Sequence, residues 1–106
     1  MLQIHIGERD RYQGKPLYEA IVARCREMKI AGATVFRGVE GYGETAQVHR
    51  AHLARHEQPI VVTIVDTAEN VARLMAAVED MVDTAALAVS QVEAVRLQKT
   101  LTSDKG

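Results

Sequence analysis

Leu2, Ile4 and Ile6 alternate with Gln3 and His5, the two-residue period of a strand with one buried face, and Gly7 ends the run. A polar loop from Glu8 to Gly14 follows. Lys15-Pro16 then opens a first helix, because proline suits a first helical turn, and Leu17, Ile21, Cys25 and Met28 share its inner face. Lys29 near its end and Gly32 just after it supply the expected stop. Ala33 to about Glu40 reads as a second strand that runs into the glycine-rich turn Gly41-Tyr42-Gly43. Glycines this close together mark either positive-φ positions or close backbone approach. From Gly41 to Gln58 no period survives, so this segment is a loop or a loop holding a short helix, and loops of that length are commonly functional or disordered.

Pro59 sets the start of a third strand, Ile60 to Val65. Asp66, with Glu69 three residues on, has the form of a capping pair. Val71, Leu74, Met75, Val78, Met81 and Val82 then recur at about 3.6 spacing, which predicts a second helix ending at Asp83-Thr84. A fourth strand is expected from about Ala88 to Leu97, its alternation slipping near Gln91-Val92 as a bulge would make it. The order strand, helix, strand, strand, helix, strand predicts an α+β ferredoxin-like βαββαβ sandwich: an antiparallel four-stranded sheet with two helices on one face. Residues 1–97 form this single domain, and residues 98–106 are a polar C-terminal tail.

Such a sandwich leaves one sheet face without helices. In the third strand Ile60, Val62 and Ile64 point one way while Val61 and Val65 point the other, so the open face is also apolar. An uncovered apolar face is an interaction surface, and packing against further copies of the chain is the simplest way to bury it.

Composition narrows the partners. The 106 residues carry a net charge of −1 with both signs scattered, which argues against a nucleic-acid or anionic-membrane surface. Tyr12, Tyr18, Phe36 and Tyr42 are the only aromatics, too few for a platform that stacks bases. No apolar run reaches the length of a membrane span and no leader pattern opens the chain, so a cytoplasmic protein without direct membrane insertion is expected. Cys25 is the only cysteine, and its place on the apolar helix face makes it a structural thiol.

The stretches Gly14-Lys-Pro-Leu-Tyr-Glu-Ala-Ile-Val22, Gly32-Ala-Thr-Val35 with Arg37-Gly38, Gly41-Tyr-Gly43 and Pro59-Ile-Val-Val-Thr-Ile-Val-Asp66 resemble the PII-like superfamily, within it the group called domain of unknown function 190. The alignment covers about Leu2 to Leu97. The more distant nitrogen-regulatory PII proteins imply a signalling homotrimer with effector sites between subunits and no catalytic activity. By that resemblance Gly32, Ala33 and Thr34 line an adenine nucleotide. Gly41, Tyr42 and Gly43 match the base of the mobile loop that docks on partners, and Arg96 matches a phosphate-facing residue. Relatives that occur beside membrane transport proteins imply a channel or transporter as the docking partner.

Three differences stand out. One extra residue separates Gly32 from Gly41, as a bulge at Gly38 would explain. Asp83 to Ala88 holds neither glycine nor lysine where PII proteins have a phosphate loop, and Gln98 stands where a second arginine is expected. The resemblance therefore implies a ligand with fewer phosphates, or another anion, held more weakly than ATP is held by PII.

Other chemistry competes with this reading. His49, His52 and His56 follow an i, i+3, i+7 spacing, so on a helix they share a face and can converge on a divalent metal, as a CutA-like trimer would require. On a loop the same residues are simply solvated. The charged run Glu8-Arg9-Asp10-Arg11 with Lys15 sits before a helix start, where the dipole favours an anion; a solvated connection explains it as well. A small hydrolase of acylphosphatase type shares the fold, but no nucleophile and base stand at a suggestive spacing.

Overall fold

The elements follow one another as β1 (Leu2–Gly7), β2 (Arg11–Tyr12), β3 (Lys15–Pro16), α1 (Leu17–Glu27), β4 (Thr34–Arg37), β5 (Pro59–Ile64), α2 (Ala68–Glu79) and β6 (Ala86–Val89) in the computed structural model, which describes residues 1–42 and 58–99. The main sheet has the order β4-β5-β1-β6, every neighbouring pair antiparallel. Leu2, Ile4 and Ile6 stand opposite Ile64, Val62 and Ile60, so the six residues share one face, and all are buried. Leu17, Ile21 and Cys25 of α1 and Val71, Leu74 and Val78 of α2 complete the same core. Two helices on one face of a four-stranded antiparallel sheet in this strand order make the fold ferredoxin-like, as the apolar periods predict.

The reverse face is the open one, and it is mixed rather than apolar as expected, because the strands beside β5 add polar residues to it. It carries Gln3 and His5 from β1, Val61 and Thr63 from β5, Thr34 and Phe36 from β4, and Ala86 and Ala88 from β6. Phe36 is 55% exposed and Val65, just past β5, is 40% exposed.

Several boundaries differ from those predicted, each for a local reason. The expected polar loop before α1 is instead a small hairpin of β2 and β3, turned by Gln13 (φ 52°) and Gly14 (φ 82°). Two successive positive φ values suit a two-residue hairpin turn. Pro16 is therefore the N-cap of α1 and not its first residue. At the other end of α1 the left-handed stop is Lys29 (φ 61°), not Gly32. The Lys29 N–H donates to the Arg26 carbonyl and the Ile30 N–H reaches back to Cys25, the paired bonds of a Schellman motif, with Ile30 buried behind them.

The cap of α2 is Thr67 and not Asp66, since Thr67 Oγ1 accepts the Asn70 N–H at 3.1 Å. That helix ends at Glu79, four residues before the predicted stop, and Met81 is buried through a turn that donates to Val78. β4 covers only Thr34–Arg37, and its register with β5 stays regular as far as Gly38, whose N–H donates to the Pro59 carbonyl at 2.7 Å. There is accordingly no bulge at Gly38. The last strand is Ala86–Val89 rather than 88–97. Residues 90–99 are exposed and lie outside regular structure, so the slip near Gln91-Val92 marks the end of pairing and not a bulge.

Removing the α2 cap by Thr67→Ala should lower stability by about 1 kcal/mol, because one helix N–H loses its partner. A chemical denaturation midpoint shifted down at unchanged slope checks it; no shift would mean that Asp66 alone holds the helix start.

Candidate effector site

Gly32, Ala33 and Thr34 form the connection from α1 into the edge strand β4, with Gly32 and Thr34 exposed and Ala33 half-buried. Asp66, at the end of β5, holds this connection in place. One carboxylate oxygen accepts the Ala31 N–H at 2.8 Å; the other accepts from the Thr67 N–H and, at 3.0 Å, from Asn70 Nδ2. The Ala31 bond, with help from Thr67 and Asn70, lowers the Asp66 carboxyl below its ordinary value. A single side chain thus joins the start of β4 to the start of α2.

The glycines after β4 serve close approach. A Cβ at Gly38 would meet Pro59 Cγ at 2.7 Å, and one at Gly41 would meet the same atom at 3.0 Å. Among the described residues Gly14 is the only glycine with positive φ, so Gly41 answers to packing on the proline ring and not to a left-handed turn. Gly32 differs from both: a Cβ there meets nothing within 4 Å, and its φ is not positive. The fold itself makes no demand for glycine at that position.

Tyr42 is 84% exposed. Gly43, His49, His52, His56 and most of the predicted docking loop lie outside the described residues. Among the described residues no group of three or more His, Cys, Asp or Glu could hold a metal ion. Arg96 is exposed on the segment that follows β6. Because β4 and β6 form opposite edges of the sheet, one copy carries the two halves of the predicted site at its two ends. The structure brings Gly32, Ala33 and Thr34 together and sets Gly41 and Tyr42 past the far end of β4. It does not bring Arg96 to them within a chain.

The two acids of the charged run before α1 have structural roles, while Arg11 and Lys15 are exposed. Asp10 Oδ2 accepts the Gly7 N–H at 2.9 Å, and the Asp10 carbonyl takes the Leu17 N–H at the helix start. Glu8 pairs with Arg37 at 3.2 Å and receives the Gln58 N–H, tying the end of β1 to β4 and to the residue before β5. Cys25 is buried, and that burial pushes its thiol up, as suits a structural cysteine. Sequence reasoning missed one concavity, an open groove of about 770 Å³ between α2 and β6, lined by Met75, Val82 and Leu87 and rimmed by Glu79 and Asp83.

Together these features define a class: a ferredoxin-like domain with one sheet face free of helices and with the predicted site residues divided between its two sheet edges. The chain belongs to the DUF190 family, described as Uncharacterized ACR, COG1993, whose pattern matches residues 1–94, and that family is a group of the PII-like superfamily. A UPF0166 protein of Aquifex aeolicus is 36% identical to it over 77 residues, which cover 71% of this chain and 73% of the relative. A UPF0166 protein of Methanocaldococcus jannaschii is 31% identical over 77 residues, 71% of this chain and 70% of the relative. The family resemblance stated on the sequence is thereby shown. Among the described residues no helix is long and apolar enough to cross a membrane.

Two outcomes follow from this geometry. Gly38→Ala should destabilise by about 1–3 kcal/mol through the contact with Pro59, whereas Gly32→Ala should stay within about 0.5 kcal/mol, both read from denaturant melts. Equal effects would show that Pro59 yields to the added methyl.

Asp66 should steepen the acid limb of stability. Its folded pKa lies below the unfolded value of about 3.9, so its contribution is present above that value and is lost as pH falls through the folded pKa. The stability gap between wild type and Asp66→Asn should accordingly narrow below about pH 4. A gap independent of pH would show that the carboxylate charge contributes nothing.

Proposed function

We propose that this chain is a PII-like regulatory protein. It forms a homotrimer, binds a small anionic effector between subunits, and carries no catalytic activity of its own. An adenine nucleotide is the best-fitting effector class. The observation that carries the reading is the division of the site between opposite sheet edges: Gly32 to Thr34 at the β4 edge and Arg96 beyond the β6 edge. A ligand that needs both must lie between copies.

Physical chemistry supports each half. Gly32 is exposed and nothing in its own fold requires glycine there, so a ligand can approach its backbone N–H closely. A guanidinium supplies a planar fork suited to phosphate. The open face offers Phe36, Val61 and Val65 for burial between subunits. The reading as a regulator is compatible with the one thiol, which is buried with its pKa raised and so suits a structural rather than a nucleophilic role. The segment from Gly41 to Gln58 is the docking element for a partner, for which a membrane channel or transporter is the class the family resemblance suggests. A cytoplasmic site of action goes with that role.

Light scattering at micromolar concentration should return a trimer mass; a monomer would sink the proposal and a dimer would remove the PII-like assembly. A thermal-shift screen of nucleotides, cyclic dinucleotides, bicarbonate and divalent metals then addresses the effector. At about 100 times its dissociation constant a true ligand stabilises by about 2.7 kcal/mol. The shift should fall in Arg96→Ala, and an equal shift in that variant would place the ligand elsewhere.

A further inference from the structure

The open face of the sheet is set out in two cross-strand rows, and His5 is the only residue in them that can take a charge. In the first row Phe36 of β4, Val61 of β5, His5 of β1 and Ala86 of β6 stand side by side. The second holds Thr34, Thr63, Gln3 and Ala88 in the same strand order. Charged residues make up 25% of the chain, so the neutrality of the other positions belongs to this face and not to the composition.

The charged groups nearest the rows are engaged elsewhere. Past the end of β1, Glu8 pairs with Arg37 at 3.2 Å, and Arg37 stands opposite Ile60 on the helix-bearing face. Asp10 accepts the Gly7 N–H at 2.9 Å. At the start of β1 the N-terminal ammonium donates to the Ser90 carbonyl. From β4, β5 and β6 the open face therefore presents no acid to a charged imidazole, and His5 has only apolar cross-strand partners, Val61 and Ala86.

We propose that His5 makes assembly of this chain proton-dependent: copies pack together through the open face while its imidazole is neutral and separate when it takes a proton. A face without formal charge meets a second copy of itself without repulsion, and Phe36, 55% exposed, gives it apolar surface to bury. Protonation of His5 puts one positive charge on the face of every copy, like against like, in the region that assembly removes from water. Burial disfavours the charged form of an imidazole, and an unpaired buried charge is strongly destabilising. Symmetry repeats that penalty in each subunit. The inference rests on the reading of the chain as an oligomer and adds the condition under which its copies part.

The direction of the dependence follows from linkage. An imidazole ordinarily takes its proton near pH 6.5, within the range where small changes of pH change its charge. Above that value assembly involves no proton. Below it each chain has to release one in order to assemble, so association weakens as pH falls. At about pH 5.5 roughly ten in eleven free imidazoles are protonated, and the association constant of a trimer falls about 1,000-fold.

Light scattering of the full chain over a concentration series, at about pH 7.5 and about pH 5.5, tests this. The concentration at which half the chains are assembled should rise at least about tenfold in the wild type and less than about twofold in His5→Gln, whose side chain is polar but never charged. His5→Lys, charged at both values, should be unassembled at the higher pH where the wild type is assembled. The variant His49→Gln, His52→Gln, His56→Gln, which removes the other histidines of the sequence, should respond to pH as the wild type does. Circular dichroism reports whether each variant is folded; if His5→Lys is not, the comparison of wild type with His5→Gln decides alone. Equal wild-type assembly at both pH values overturns this inference and leaves the oligomer standing. So does a response that persists in His5→Gln or disappears in the triple variant, or a folded His5→Lys that assembles as the wild type does. A wild-type monomer at the higher pH removes both.

Discussion

The pairing of β1 with β5 is the constraint on which the remainder depends. Six apolar residues, three from each strand, must reach the same face, and a slip of one position would send every one of them to the other side. With Leu2 opposite Ile64 and Ile6 opposite Ile60, the core face is complete and both helices have a floor. Each such side chain contributes roughly 1.5–3 kcal/mol on burial, so the competing register is strongly disfavoured. The same pairing leaves β4 and β6 on the outside, and the two edges it creates are where the chain has surface to spare.

Pro59 transmits that constraint to the glycine-rich turn. It opens β5 and lacks an N–H, so its partner Gly38 receives no bond in return but donates one to its carbonyl. The proline ring then lies over the backbone of Gly38 and Gly41 closely enough to exclude a Cβ at the first. Together with the Glu8 and Arg37 ion pair, this fastens the end of β4. At the other end of β4, Asp66 fastens the start. The edge strand is short, but both its ends are held.

If the proposed effector site is divided between two edges, that division has a functional consequence. An effector bridging them is sensitive to how copies are arranged, since either half alone presents only one side of the ligand. Coupling between occupancy and subunit arrangement then needs no additional device, because a ligand that favours one arrangement shifts the population toward it. In the proposed assembly the fold would supply the half-sites and a neighbouring copy would join them.

How much of this was legible in the sequence follows from the range of the interactions. The alternation of Leu2, Ile4 and Ile6 and the 3.6 period of Val71, Leu74 and Val78 are local records of a buried face, so strands, helices and the fold class could be read directly; the open face, read as apolar from one strand, is mixed because its neighbours add Gln3, His5 and Thr34. The glycine-rich resemblance around Gly32 and Gly41 was legible for the same reason, being contiguous in the chain. Endings were not. Lys29 took the left-handed position because Ile30 had a core to bury into, Thr67 became the cap because Asp66 was drawn to Ala31, and β6 stopped at Val89 because β1 offers no partner beyond Met1. Each was decided by a partner distant in sequence, which no local pattern encodes. That Gly32 and Arg96 belong to opposite edges is likewise a fact of strand order, settled only when β1 and β5 took the centre of the sheet.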